Sequence, residues 1–155
     1  MSEGDLLTSL LQLEQEIQFT TFTNDMALEI GLALLQEARN RGKSITADIT
    51  RHGHQLFHVA MEGTTPDNDQ WIRRKNNVVN RFGHSSFYIG RRLNNLSQTI
   101  EEKYFVSSTE YTAHGGGFPI ILAHTGVIGT VTVSGMSQQE DHELVVTVLR
   151  KFLSK

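Results

Sequence analysis

The run Ser44-Ile45-Thr46-Ala47-Asp48-Ile49-Thr50-Arg51-His52-Gly53-His54-Gln55-Leu56-Phe57-His58-Val59-Ala60-Met61 decides the fold. Ile45, Ala47 and Ile49 alternate with polar partners, and Phe57, Val59 and Met61 resume the alternation beyond His52-Gly53. A period of two sends neighbouring side chains to opposite faces of a strand, and a glycine-containing pair between two such runs is turn chemistry, so the stretch reads as a β-hairpin. A second hairpin is expected after Gly115-Gly116-Gly117. There Phe118 to Ala123 and Val127 to Val133 are short, apolar and β-branched runs joined around Thr125-Gly126.

Helical periodicity fills the space around these hairpins. Leu6, Leu10, Leu13 and Ile17 form an apolar stripe within Asp5 to Phe19. Thr23, Asn24 and Asp25 offer caps for a helix from Met26 to Arg41, whose face of Ala27, Ile30, Gly31, Leu34 and Ala38 permits close approach and which stops at Gly42. Thr65-Pro66-Asp67-Asn68-Asp69 joins a capping hydroxyl, a proline in the first turn and acids over the positive end of the dipole, predicting a helix to about Phe82 that ends at Gly83. Ser85 to Lys103 is read as one helix carrying Ile89, Leu93, Leu96 and Ile100, and Tyr104 to His114 stays open between loop and strand. Ser137-Gln138-Gln139-Glu140 matches a capping box ahead of Leu144, Val145, Val148 and Phe152. The order helix, helix, hairpin, helix, helix, hairpin, helix predicts an α+β chain with an antiparallel sheet and helices packed against it, residues 1–155 forming one domain.

Composition narrows the function. The 155 residues include no cysteine, which removes thiolate nucleophiles and Cys-based metal sites and leaves His and carboxylates for any metal. Met1-Ser2-Glu3-Gly4-Asp5 is acidic, so neither a signal nor a transit peptide is expected. No stretch approaches the roughly 20 apolar residues of a membrane span, so no membrane partner is expected and the cytoplasm is the expected location. A net charge of −3 argues against nucleic acid as a partner. Yet Gln70 to Ile100 holds no acid, and Arg73, Arg74, Lys75, Arg81, Arg91 and Arg92 all lie there.

At about 100° per residue, Trp71, Val78, Val79 and Phe82 share one stripe of their helix, and Lys75 falls inside it. A cation among apolar positions is either a lysine at the mouth of an anion pocket or a snorkelling side chain with its ammonium in water. Arg74, Arg81, Arg91 and Arg92 fit an anion site, a subunit interface or a solvated basic face. In His114-Gly115-Gly116-Gly117 the glycines allow close backbone approach, and successive N–H groups can form an anion nest; a plain turn is the alternative. His52 and His54 are weak metal candidates without a following carboxylate. His54 and His58 stand roughly 13 Å apart on a regular strand and cannot share an ion. Ser134-Gly135 lacks a nucleophile elbow, and Ser137 reads as a helix cap.

Leu56-Phe57-His58, Gly63-Thr64 with Asp67-Asn68, Trp71-Ile72 with Arg74-Lys75, Gly115 to Ile120, and Gly129 to Gly135 followed by Asp141-His142 together resemble the haem-degrading-domain (HbpS-like) superfamily. That superfamily includes haem-binding sensor-associated proteins, the C-terminal domain of some cobalamin adenosyltransferases, and a branch of uncharacterised proteins that this chain is similar to over nearly its full length. The resemblance implies a profilin-like α/β/α sandwich and homo-oligomers, dimers or larger. It also implies a pocket, at or near a subunit boundary, shared by the helix lysine and the glycine loop. Members of the superfamily are linked to haem binding and slow haem degradation, to corrinoid contexts and to small organic acids. The first helix carries no histidine, so no axial haem ligand is placed there.

The expected ligand-binding set is therefore Lys75, Arg74, Trp71, Asp67 and Asn68 on the helix with His114, Gly115, Gly116 and Gly117 on the loop, holding a carboxylate or other small anion. Two alternatives stand beside it: haem binding and degradation with an axial His114 or His54, and an interaction module whose first helix is the interface.

Overall fold

The structure is a computed structural model, and it describes residues 2–155. Four antiparallel strands, β1 (Thr46–Arg51), β2 (His54–Ala60), β3 (Gly117–Leu122) and β4 (Gly126–Ser134), form one sheet in the order β2-β1-β4-β3. Both hairpins form as read. His52 and Gly53 both take positive φ, 51° and 77°, the geometry of the two-residue turn that matches strand twist. The hairpins meet along a β1–β4 seam that sets Ala47 against Val133 and Ile49 against Val131.

Helices α2 (Asn24–Asn40) and α6 (Gln138–Leu153) cover one sheet face, while α3 (Pro66–Phe82) and α4 (Ser86–Asn95) cover the other. This is an α/β/α sandwich around an antiparallel sheet. The α2/α6 side is the main core, where Ile30 and Leu34 of α2 and Leu144, Val145 and Leu149 of α6 bury Ile45, Ala47, Ile49, Phe118, Ile120, Val131 and Val133. The opposite face carries Thr46, Asp48, Thr130, Thr132 and Ser134, all buried. The alternation in the sequence therefore separates a dry apolar layer from a dry polar one. The polar layer needs internal partners, which Asn76 supplies to Asp48 and Thr132, and Asn68 to Ser134.

Three segments depart from the sequence reading. The expected single helix from Ser85 to Lys103 is two, α4 and α5 (Ile100–Tyr104). The chain turns at Ser97 with φ 54°, the Gln98 N–H returns to the Leu93 carbonyl at 3.0 Å, and Thr99 caps a new start with Glu102. Helix α1 (Glu3–Glu16) ends before Phe19, because Phe19 pairs with the β3 edge: its N–H donates to the Ile121 carbonyl and its carbonyl accepts from Ala123, each at 2.8 Å. A tertiary ladder overrides the helical stripe there. Of the stretch left open from Tyr104 to His114, Tyr104 ends α5 and Phe105 to His114 forms turns and loop, which with α3, α4 and α5 closes a satellite core around Val78, Ile89, Leu93 and Ile100.

Helix α1 is tied to α4 through Glu14, only 4% exposed although it sits among leucines. One carboxylate oxygen accepts the Ser85 N–H at 3.1 Å, and the other pairs with His84 Nδ1 at 2.7 Å. This hydrogen bond holds the His84 pKa above its ordinary 6.5. Its contribution to stability is thus complete below pH 6.5 and is lost as pH rises through the raised value. Glu14→Ala, which orphans the buried Ser85 donor, is expected to cost about 1–3 kcal/mol in urea unfolding and to abolish that part of the pH dependence.

Candidate functional site

Lys75 points inward. Its residue is 3% exposed, and Nζ donates to the Val133 carbonyl at 3.0 Å and to Asp141 Oδ2 at 3.1 Å. The snorkelling alternative is thereby excluded. Asp141, 2% exposed in the first turn of α6, also accepts the Met136 N–H through Oδ1 at 3.1 Å. Burial pushes the Asp141 carboxyl up to about 6, against the opposing pull of Lys75, and pushes the lysine down, against the opposing pull of Asp141. An ammonium has three donors, and these contacts account for two.

The glycine loop makes this placement possible. A Cβ on Gly116, which has φ 135°, would lie 2.5 Å from the Val133 carbonyl oxygen and 2.7 Å from Lys75 Nζ. Only glycine lets the ammonium pass between the loop and the strand end. The nest reading, by contrast, meets occupied donors: Gly115 N–H bonds Gln138 Oε1 at 3.1 Å and Gly117 N–H bonds Ser86 Oγ at 3.0 Å. The loop therefore contributes space beside the ammonium, its first and third N–H groups are turned to protein acceptors, and Gly115, Gly116 and Gly117, expected in the ligand set, are not among the residues that line the cleft described next.

Beside the pair opens a cleft of about 300 Å³ lined by Asn68, Trp71, Lys75, His114, Ser134, Gly135, Met136, Gln138 and Asp141. Four of the residues expected at the site share it: Lys75, Trp71, Asn68 and His114. Trp71 packs against the Arg74 guanidinium, 4.4 Å from its ring centroid, and against the His114 ring, stacked at 5.1 Å. Arg74 thus stands behind the cleft wall. Partial desolvation, then the positive charge of Lys75 and Arg74, lowers the His114 pKa and favours its neutral imidazole. Asp67 departs from expectation; it is exposed in the first turn of α3 and lies outside the cleft, where it serves the helix dipole.

The remaining basic residues do not converge. Arg91 forks onto Glu3, Arg73 pairs with Glu110, Arg92 meets the Tyr104 hydroxyl, and Arg81 lies against Phe82 and Tyr111. His52 and His54 are exposed at the β1–β2 turn, and among the described residues no group of three or more His, Asp or Glu is placed to hold a metal ion. Asp141, Gln138 and Met136 were not expected in the site. For Gln138 and Asp141 the signal is a polar first turn on a capped helix that follows β4 at once; Met136, in the connection, carries none.

A second, larger groove of about 510 Å³ runs between α1, α4 and α6, with Leu6, Leu10, Leu13, Phe87 and Val146 as walls and Arg41, Arg91 and Arg150 around it. His142 lies in its floor, stacked on Phe87 at 4.7 Å, and burial pushes its pKa down to about 4.

Comparison with known proteins places this architecture. A family described as haem degrading protein HbpS-like matches residues 22–150. A UPF0303 protein of Edwardsiella ictaluri is 46% identical over 153 residues, spanning 99% of this chain and 98% of its own. Among solved structures, the crystal structure of the Ybr137w protein is 36% identical with a TM-score of 0.89, covering 96% of this chain and 87% of that one. A PduOC:Heme complex shares the fold alone, at 14% identity and a TM-score of 0.68 over 85% of this chain and 94% of that one. The polar cleft and its buried ion pair therefore sit on a known scaffold: this chain belongs to the family described as haem degrading protein HbpS-like.

Proposed function

We propose that the chain is a ligand-binding protein whose α3–α6 cleft takes a small carboxylate. The observation that carries this reading is the buried Lys75 ammonium, lining the cleft with a third donor beyond Val133 and Asp141. Asn68 and Gln138 add amide groups, and the Trp71 and His114 rings form a flat wall. Since Asp141 offsets the lysine charge, recognition rests on directed hydrogen bonds in a cramped polar space more than on net charge. Lys75→Met should weaken carboxylate binding, measured by calorimetry, about tenfold or more, as expected for loss of a charge-assisted hydrogen bond. Affinity should rise as pH falls from 7 through about 6, where Asp141 gains a proton and uncovers the lysine charge. Asp141→Asn should flatten that profile; unchanged binding in Lys75→Met sinks the reading.

Haem binding is a second reading, and here the groove supports it better than the cleft. A tetrapyrrole is larger than the 300 Å³ cleft, whose lining is polar. The α1–α4–α6 groove has apolar walls and, in His142, an imidazole that burial keeps neutral and able to ligate iron, while its Arg41, Arg91 and Arg150 are paired with Glu37, Glu3 and Glu16. Bound there, haem would bring redox-active iron next to α6. Haemin titration of the purified chain should then give a Soret shift that His142→Ala abolishes and His114→Ala or His54→Ala leaves intact. No shift at micromolar protein removes haem.

We also propose that residues 1–155 form one protomer of a homo-oligomer. Support comes from α2, where Leu28 and Leu32, one turn apart, are 51% and 54% exposed beside the edge strand β2. Light scattering should report a multiple of the 17.4 kDa chain mass, reduced by Leu28→Glu with Leu32→Glu; a monomeric mass rejects this.

A further inference from the structure

We propose that Lys75 captures the carbonyl of a 2-oxo acid covalently, its amine adding to the carbonyl carbon to give an imine inside the cleft. This rests on the carboxylate reading and adds a substrate class to it. The argument begins with contrast among the lysines. Lys43, Lys103, Lys151 and Lys155 are exposed, whereas Lys75 is buried at the floor of a small cleft, beside an equally buried carboxylate. A purely structural cation at this depth would be sealed in; this one is walled on one side by protein acceptors and on the other by open cleft.

An amine attacks a carbonyl only when it has lost a proton, and the pair supplies the means. Moving one proton from Lys75 Nζ to Asp141 Oδ2, 3.1 Å away, converts two buried charges into two neutral groups and changes no net charge. Burial disfavours both charged forms, which is the direction in which both groups are shifted. Burial thus favours exchange of the proton inside the pair.

The step balances within these residues. Lys75 passes a proton to Asp141, and the free nitrogen pair bonds to the ligand's carbonyl carbon while the carbon–oxygen π pair moves to oxygen. That oxygen takes the proton back from Asp141, giving the carbinolamine; loss of water, with its leaving oxygen protonated at the cost of the nitrogen's second proton, leaves a protonated imine. In sum one ketone and one ammonium become one iminium and one water, with no oxidant or reductant. The iminium keeps a single N–H for Asp141, so the buried charge stays paired. His114, whose imidazole partial burial keeps neutral, lines the same cleft. Asn68 and Gln138 remain for the ligand's carboxylate.

The test uses the full chain with pyruvate as the simplest 2-oxo acid and lactate as the same carboxylate without a carbonyl. Pyruvate with cyanoborohydride should add one reduced adduct per chain, mapped by peptide mass spectrometry to Lys75 and prevented by excess lactate. Asp141→Asn should slow trapping roughly 100-fold, the scale of a lost general acid–base group. Lys75→Met should yield no adduct, and if that variant fails to fold, the map of the wild-type chain decides alone. Adducts only on Lys43, Lys103, Lys151 or Lys155, or none, overturn the inference. Saturable binding of lactate and pyruvate without an adduct overturns the imine and leaves the carboxylate site standing; absence of binding by either overturns both.

Discussion

A lysine ammonium taken out of water beside an aspartate is the constraint around which this molecule is arranged. Removing two charges from solvent costs several kcal/mol each, and only close pairing with further hydrogen bonds offsets it. Here the offset is assembled from four places: Lys75 on α3, Asp141 on α6, the Val133 carbonyl at the end of β4 and the Met136 N–H behind it. The position of α3 over the sheet, the start of α6 and the glycine loop are each required for that geometry. Moving any one would leave a buried charge without its partner.

The same economy governs the sheet. One face is hydrocarbon across its buried centre, and the other is a layer of hydroxyls and carboxylate that α3 meets with asparagines as well as apolar side chains. Two hydroxyls, Thr46 Oγ1 and Thr130 Oγ1, lack a protein partner in that layer. A polar interlayer is directional, so it fixes the rotation of α3 about its axis, and with it the direction in which Lys75 and Trp71 face.

Much of this was legible in the residues. Both hairpins announced themselves by alternation and turn chemistry, and α3 by Thr65, Pro66 and Gly83, whereas the place of Lys75 on the apolar stripe left a pocket lysine and a snorkelling side chain as alternatives. These are local signals, carried within a few turns of chain. Asp141 was not legible as the partner of Lys75, because nothing in a single sequence ties two positions so far apart. The break at Ser97 depends on one residue adopting a left-handed conformation, and the early end of α1 on Phe19 pairing with a strand a hundred residues away. In the glycine loop a missing Cβ makes room for an amine, while two of its N–H groups serve the protein itself, and a sequence shows neither partner.

The seam between β1 and β4 has a kinetic meaning. Each hairpin closes a short stretch of chain and can zip on its own, but Ile49 meets Val131 only after α3, α4, α5 and the glycine loop have been brought round as one long closure. Such late, non-local pairing slows folding. Until the seam shuts, the apolar inner edges of both hairpins remain available to other chains, so the interval between hairpin formation and seam closure is the time at which this protein is most exposed to misassembly during synthesis.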